Sequence, residues 1–319
     1  MLDYAIRRLI PAVGLFAGLM LLTVPATAQF NGHNLRGDWG LMSATQPDPG
    51  FYAGLLYVHY GVDQLRNSNG DSLPTEGSLN VNAIAPYLWW VSNFEILGAN
   101  YSIFASPSWV DNALEAPTFG TSSSTGLGFG DLYVQPVNLG WHTERADFMA
   151  GIGFYAPTGR YEDGGDDNTG LGMWSFELSG GTTVYFDKER TWHLSALAAW
   201  ETHTEKEDSD ARVGDLLTIE GGLGKSWMDG ALSVGVAYFA QWKLTHDDPG
   251  TPLNLIRPDP SRHKIFGVGP EVVLPLATKN KFYGSLALRY LWDFGVENNT
   301  QGQTFVVMAT FPIPSVPLQ

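Results

Sequence analysis

Hydrophobic and polar residues alternate one by one along most of the chain, which is the period of a β-strand rather than of a helix. In the clearest segment, apolar side chains at every second position are separated by small or polar ones: Leu232, Val234, Val236, Tyr238, Ala240, Trp242 and Leu244. The same alternation runs through 192–200 and 282–292. Each of these strands therefore has one apolar face and one polar or small-residue face.

Twelve strands are predicted when the whole chain is interpreted in this way: 50–61, 77–91, 94–109, 127–141, 146–157, 170–186, 191–204, 213–227, 231–246, 262–275, 281–293 and 302–312. The connections alternate between long polar loops and short turns, the short ones being Ser92-Asn93, His142–Arg145, Asp187–Arg190, Met228–Gly230 and Ala277–Asn280. Outer-membrane barrels have short periplasmic turns and longer external loops. The sequence thus predicts an all-β fold, a transmembrane antiparallel β-barrel of about 12 strands.

Aromatic side chains support this prediction because they gather at the two ends of the predicted strands. One group lies near the short turns: Trp89, Trp90, Phe94, Trp141, Phe148, Phe186, Trp192 and Trp227. A second group lies at the opposite ends: Trp109, Trp174, Trp200, Trp242 and Trp292. Two such belts are expected where a barrel meets the two lipid–water interfaces. Since hydrocarbon offers the backbone no hydrogen-bond partner, the sheet must also close on itself.

The first residues are typical of a secretory signal peptide. Arg7 and Arg8 precede an apolar run over 9–24, and Ala26-Thr27-Ala28 follows as a small-x-small cleavage site. An anchor helix, the alternative, needs about 20 apolar residues. We therefore expect a cleaved signal peptide at 1–28, an N-terminal periplasmic or lumen segment at 29–49, the barrel at 50–312 and a C-terminal tail at 313–319. Such a chain is exported to the cell outer membrane of a Gram-negative-type bacterium, where the lipid bilayer and lipopolysaccharide are its partners.

Composition narrows the range of functions. Charged residues make up 16% of the chain, against about 25% in typical soluble proteins. The formal net charge of −15 argues against a nucleic-acid partner, because phosphate binding needs a basic face. The acidic loop 162–168 lacks the spacing of a calcium-binding loop, and no nucleophile-elbow or zinc-helix motif is present. We expect no enzyme activity, no cofactor and no metal site.

The polar phase of the strands supplies the candidate lumen lining. Its charged members are Glu177, Glu201, Glu220, Lys243, Glu271, Arg289 and Asp293. Charges facing lipid at mid-depth cost about 2–4 kcal/mol, so these side chains should point inward. The same phase carries larger, less polar side chains: Met149, Tyr155, Met173, Tyr185, Phe239 and Tyr283. Such a mixture suits an amphipathic small molecule, but an interior that is filled only for stability would use the same residues.

Prolines inside the strand patterns mark candidate kinks in the wall. Around Pro136 the apolar phase slips, since Leu132 and Val134 share one phase and Leu139 takes the other. A bulge between Pro136 and Leu139 would reconcile the two phases. We expect strand 127–141 to be the distorted wall, with Pro270 as the second candidate.

Two motifs in the middle of the chain resemble a known family. The first is Gly130-Asp131-Leu132-Tyr133-Val134-Gln135-Pro136, continuing to Leu139-Gly140-Trp141. The second is Phe154-Tyr155-Ala156-Pro157-Thr158-Gly159-Arg160-Tyr161, followed by Asn168-Thr169-Gly170. Both are similar to signatures of the outer-membrane proteins of the phenol meta-pathway (MetA-pathway of phenol degradation) family. The resemblance implies a twelve-stranded barrel that takes up aromatic or other hydrophobic substrates, and it implies no set of functional residues.

Three functions remain open at this point. The leading hypothesis is a monomeric outer-membrane channel or transporter for small hydrophobic or aromatic compounds, with lateral release through the kinked wall. The second is a structural or general cation-leaning pore, which the acidic balance favours. The third is an outer-membrane hydrolase, which the seven histidines and many serines suggest. Against it, His193 and Ser195 both face inward on one strand, whereas a lipase site should meet the membrane and must be recognised by its geometry.

Overall fold

The computed structural model describes residues 31–74, 77–117, 121–228, 231–248, 250, 262–314 and 316–317. The predicted signal peptide lies outside the described residues. No helix within these ranges is long and apolar enough to cross a membrane.

Twelve long antiparallel strands form a closed barrel within the described part of the chain. They are β1 (Gly50–Leu65), β2 (Ser78–Ile96), β3 in two segments (Ala99–Ser106 and Trp109–Ala116), β4 in two segments (Gly128–Phe129 and Leu132–His142), β5 (Ala146–Ala156), β6 (Ser175–Tyr185), β7 (Trp192–His203), β8 (Leu216–Trp227), β9 (Leu232–Lys243), β10 (Lys264–Thr278), β11 (Lys281–Glu297) and β12 (Thr300–Ile313). Each strand pairs with the next, and β12 returns to pair with β1. The predicted twelve-stranded antiparallel barrel is confirmed.

Three short elements accompany these strands. Thr121–Ser124 extends the outer segment of β3 as a hairpin, and Val316–Pro317 pairs with the start of β11. A 3-10 turn at Gly40–Met42 precedes the first strand. The connections keep the alternation of the sequence, so the barrel has a short-turn end and a long-loop end.

The first short turn differs from the prediction of Ser92-Asn93. Strand β2 continues to Ile96, and the turn is formed by Leu97 (φ 54°) and Gly98 (φ 76°), as in a type I′ hairpin with two positive φ angles. Ser92 lies instead at a register shift, where its hydroxyl donates to the Tyr101 carbonyl at 2.8 Å. Leucine is an unusual residue at positive φ, so Gly98 is the one turn signal in this pair and the sequence analysis did not use it.

The outward phase of the strands forms an apolar belt around the barrel. Side chains such as Val234, Val236 and Leu223 are about half exposed, at 51%, 48% and 48%. Trp192 and Leu194 are also exposed, whereas Leu232, Leu286 and Leu288 are half-buried by their neighbours. A continuous apolar exterior of this kind fits a hydrocarbon surrounding rather than water.

Residues 31–49, here called the N-terminal segment, run lengthwise through the inside of the barrel. His33 contacts Asp131 and Glu201 near the long-loop end, and Gln46 donates to Ser102 near the short-turn end. Glycines in the barrel wall leave space for the middle of the segment. A Cβ atom at Gly222 would lie 2.7 Å from the Leu41 side chain, so the close approach requires a residue without one.

Candidate functional site

The seven charged residues of the predicted lumen lining are all buried: Glu177, Glu201, Glu220, Lys243, Glu271, Arg289 and Asp293. They belong to β6–β11, and the N-terminal segment covers several of them. A buried carboxylate must accept hydrogen bonds or meet a counter-charge, because desolvation otherwise costs several kcal/mol. The partners of these groups therefore explain how the segment is held.

Glu271 and Arg289 form a two-point ion pair that also holds the segment backbone. The Arg289 guanidinium donates to both Glu271 oxygens, from Nε at 2.7 Å and from Nη2 at 3.0 Å. Its Nη1 donates to the Gly37 carbonyl, while Glu271 Oε2 accepts the Leu41 N–H at 3.0 Å. Bidentate charge-assisted bonds of this type are among the strongest in proteins. They fix the middle of the segment against β10 and β11.

Glu201 holds the outer part of the segment in a similar way. Its two carboxylate oxygens accept the successive backbone N–H groups of His33 and Asn34, at 2.8 and 3.1 Å. The Asn34 side chain donates to Glu177 at 3.1 Å, and the His33 ring stacks on Tyr155 with centroids 4.7 Å apart. Glu177, Glu201 and Tyr155, which we predicted as lumen lining, thus contact the segment directly.

The other predicted lining residues have different surroundings. Phe239 packs with Ile265 and Leu291, and Met149 packs with Trp89 and Val91. Lys243 pairs with Asp247 at 2.7 Å, and Asp293 accepts a hydrogen bond from Tyr60 at 3.0 Å. Tyr185 donates a hydrogen bond to Asp147 at 2.6 Å. Met173 packs beneath a loop with Ala211 and Val213. These side chains fill the barrel wall and its loop end.

Tyr283 is a correction to the predicted lining. Its side chain is 42% exposed at the short-turn end, where the Lys281 ammonium lies 5.5 Å from the ring. The β10–β11 register shifts between Leu276 and Ala277, beside Gly284. This irregularity places Tyr283 at the rim rather than against the segment.

Opposite the charged wall, the inward side chains are apolar, which the sequence analysis missed. Leu56, Val58, Ala83, Ala85 and Val306 form one cluster on β1, β2 and β12, with Val110 and Met308 packed against it. A cavity of about 1250 Å³ lies between this apolar wall and the Trp39 and Met42 side chains of the segment. In β1 both phases are largely apolar, and in β2 the polar Asn80 and Asn82 alternate with the cavity-lining Leu79 and Val81. The assumption that the apolar phase faces lipid therefore did not predict this wall.

The cavity extends along the barrel. Glu115 and Asn299 line it at the long-loop end, and Ser285 and Thr310 line it towards the short-turn end. The segment therefore covers much of the charged wall, while the cavity lies against the apolar wall and is also lined by Glu177 and Lys243 of the charged wall.

The wall is irregular at Pro136. The β4–β5 register shifts between Val134 and Val137. The Pro136 carbonyl accepts from the Tyr101 hydroxyl at 2.6 Å, and the Gln135 amide donates to Ser179 at 3.2 Å. The Tyr101 hydroxyl thus satisfies one backbone carbonyl of the bulge. At the second candidate, Pro270, the ladder with β9 keeps its register.

The residues behind the hydrolase hypothesis have structural partners. His193 bonds the Ser226 hydroxyl at 2.9 Å. Ser195 donates to the Leu41 carbonyl at 2.8 Å and accepts the Gly222 N–H at 3.0 Å. His193 lies in the wall, and Ser195 binds the segment to it.

The comparisons with known proteins agree with this architecture. The model of the family described as "Putative MetA-pathway of phenol degradation" matches residues 62–309. The chain belongs to this family. No curated protein matches this chain.

Two solved structures share the fold of this MetA-pathway family member. An outer membrane channel from Pseudomonas putida F1 is 14% identical, with a TM-score of 0.69, and the match covers 88% of this chain and 99% of that one. The transport unit of the autotransporter AIDA-I from Escherichia coli is 11% identical, with a TM-score of 0.52, over 92% and 98% of the two chains. At these identities the likeness is one of fold.

The two sequence motifs that resemble the MetA-pathway family meet in space at the long-loop end. Asp131 of the first motif accepts the Gly159 N–H of the second at 2.9 Å and the Leu171 N–H at 2.7 Å. The Thr158 hydroxyl donates to the Gly130 carbonyl at 3.0 Å. The motifs therefore build one corner of the barrel, and this corner holds the His33 ring.

The long-loop end also contains a buried lysine and a tyrosine whose pKa values are shifted. Lys206, in the loop after β7, donates to the Leu171 carbonyl at 2.7 Å, and its ammonium lies 4.9 Å from the Tyr161 ring. Burial lowers the pKa of Lys206 to about 8 and raises the pKa of Tyr161 to about 12. Both shifts follow from the removal of a charged form from water.

Removal of the Arg289 guanidinium should release the N-terminal segment. Arg289→Ala leaves the Glu271 carboxylate buried without its counter-charge, a situation that costs about 3–5 kcal/mol. We expect the segment to leave the wall and ionic conductance in planar bilayers to rise. The double variant Glu271→Gln, Arg289→Met removes both charges and keeps an acceptor for Leu41, so it should retain low conductance. Wild-type conductance in Arg289→Ala would contradict this role of the ion pair.

Proposed function

We propose that this barrel conducts small hydrophobic or aromatic compounds across the outer membrane, through the apolar half of its lumen. The observation that carries the proposal is the cavity bounded by Leu56, Val58 and Ala83. Apolar solutes gain about 25 cal/mol for each Å² removed from water, so an apolar wall favours their entry. A lumen lined with charge alone would offer them no such gain.

The polar groups around the cavity fit an aromatic ring that carries a hydroxyl. Tyr60, Gln241 and Thr304 also line it, and small-molecule sites commonly combine apolar walls with a few placed polar groups. The family description refers to phenol degradation, and the Pseudomonas putida F1 structure is described as an outer membrane channel. The family description supports a phenolic solute, while the description of the Pseudomonas putida F1 structure supports a channel and names no solute.

A general cation-leaning pore is the second candidate, because acidic side chains line the cavity near the long-loop end. Asp63, Glu115 and Asp166 are among them, and a mouth of one charge sign concentrates ions of the other sign. Such a pore would pass small cations and sugars as readily as aromatic compounds. Selective uptake therefore separates the two functions.

The proposed setting is the outer membrane, with lipid around the apolar belt and lipopolysaccharide at the long-loop end. The mature chain begins after signal-peptide cleavage. Since the twelve strands close within one chain, no second copy is needed to pair an edge, and we propose a monomer. With His193 and Ser195 occupied by structural contacts, transport without enzyme activity is the simpler function.

Uptake by proteoliposomes tests the proposed function. Val58→Asp places a carboxylate on the apolar wall of the cavity and should slow phenol uptake at least about tenfold, which corresponds to about 1.4 kcal/mol. Uptake of arabinose should change little. Ser123→Asp adds the same charge at the long-loop end and serves as the control. Equal effects of Val58→Asp on both solutes, or none on either, would argue for a general pore.

We further propose lateral release of apolar solutes through the wall at Pro136. Proline removes a ladder donor, and the register shift between Val134 and Val137 leaves this place with fewer strand-to-strand bonds. The Tyr101 hydroxyl bonds the Pro136 carbonyl and would have to move aside for the wall to part. Direct release into the bilayer spares an apolar solute the unfavourable return to water.

Replacement of Pro136 tests this route. Pro136→Val supplies the missing N–H and should strengthen the wall, so phenol transfer into the membrane slows while the barrel stays folded. Pro270→Val is the matched control, because the ladder with β9 at Pro270 keeps its register. Rates that are unchanged in Pro136→Val, or reduced equally in both variants, would exclude lateral release at this point.

A further inference from the structure

Two imidazoles and a carboxylate converge inside the long-loop end of the barrel. His33 comes from the N-terminal segment, while Glu201 and His203 lie two positions apart on the inward face of β7. The Glu201 Oε1 atom is 3.7 Å from His33 Nδ1 and 3.6 Å from His203 Nδ1. The three side chains are 6%, 1% and 0% exposed. His33 also lines the cavity, whereas Glu201 and His203 are buried.

We propose that His33, Glu201 and His203 bind a divalent transition-metal ion that latches the N-terminal segment to the barrel wall. Metal–ligand bonds of about 2.0–2.2 Å to nitrogen and oxygen place neighbouring donor atoms about 3.3–3.7 Å apart in tetrahedral or trigonal geometry. The two separations from Glu201 Oε1 lie in this range, and the three donor atoms all lie within 4.8 Å of one another. An ion could therefore bind with small side-chain movements.

The Asp131 carboxylate supports this assignment independently. It lies 2.8 Å from His33 Nε2 and is itself held by the Leu171 and Gly159 N–H groups. Histidines that bind metals almost always donate their other ring N–H to a carboxylate or carbonyl, which fixes the tautomer. With the proton on Nε2, the lone pair of His33 Nδ1 points into the cluster.

The Ser175 hydroxyl lies between the two rings, 2.6 Å from His33 Nδ1 and 2.8 Å from His203 Nδ1. It could complete the coordination or rotate away for a water molecule. The Ser175–His33–Asp131 chain also has the distances of a nucleophile, base and acid. Ser175 is 0% exposed, however, and its hydroxyl contacts both rings, so no substrate carbonyl can approach it. A metal ligand is the chemistry that suits a buried position.

The donor set indicates the class of ion. Two imidazole nitrogens and one carboxylate oxygen suit zinc, nickel or copper, whereas magnesium and calcium prefer oxygen ligands. Because His33 is on the segment and the other two ligands are on β7, the ion links the two parts. A ligand that binds only the docked arrangement stabilises it by mass action.

Cobalt binding to the purified full-length barrel in detergent tests the site. After dialysis against EDTA, Co²⁺ should bind with one ion per barrel and give visible d–d bands, and Zn²⁺ should displace it. His203→Ala should abolish the bands. Asp131→Asn should weaken binding about 10–100-fold, the effect typical of such supporting residues. His59→Ala, outside the cluster, should bind as the wild type does.

A second experiment tests whether the metal ion holds the N-terminal segment against the barrel wall. The chain has no cysteine, so Leu35→Cys carries a single nitroxide on the segment. EDTA should increase its mobility and Zn²⁺ should reverse the change, whereas in the His203→Ala background the mobility should not respond. Absence of Co²⁺ bands in the folded wild type, or equal binding in His203→Ala, overturns the metal site. Nitroxide mobility that ignores EDTA and Zn²⁺ in the wild-type background overturns the latch.

Discussion

Charged groups inside a closed barrel must find partners there, and the lumen is arranged around this constraint. Glu201, Glu220 and Glu271 are almost completely buried on the inward faces of β7, β8 and β10. Of these three carboxylates, only Glu271 forms an ion pair with Arg289. Backbone N–H groups of the N-terminal segment supply much of the rest, since Glu201 accepts two of them and Glu220 and Glu271 accept one each. The position of the segment follows from the hydrogen-bonding needs of the wall.

This arrangement gives the lumen a charged side and an apolar side. The segment occupies the half of the lumen where charges would otherwise attract water and ions. The side formed by β1, β2 and β12 needs no such partners at Leu56, Val58 and Val306, which carry no polar groups, and it borders the cavity. The two sides of the lumen therefore differ in polarity because charge is unevenly distributed over the inward faces.

The sequence could predict the strand number and antiparallel closure, because alternation and connection length are local properties. It failed at the first turn, where Leu97 adopts a positive φ that is unusual for leucine and Gly98 is the one turn signal. The apolar cavity wall was not predicted either, because β1 is largely apolar in both phases and the apolar phase of β2 faces inward. The partners of Glu201 and Asp131 are His33 groups 168 and 98 residues away. No local pattern can reveal contacts at such separations, and only the closed topology brings them together.

A reversible cross-link between the segment and the wall tests the division of the lumen most directly. The Ser43 and Ser195 hydroxyl oxygens lie 3.2 Å apart, so Ser43→Cys with Ser195→Cys should form a disulfide of ordinary geometry in a chain that has no other cysteine. Phenol uptake and ionic conductance would be measured before and after reduction. Our account predicts that the disulfide forms and leaves phenol uptake unchanged and conductance low. Loss of phenol uptake on oxidation, restored by reduction, would show that the solute passes where the segment lies and would contradict the account.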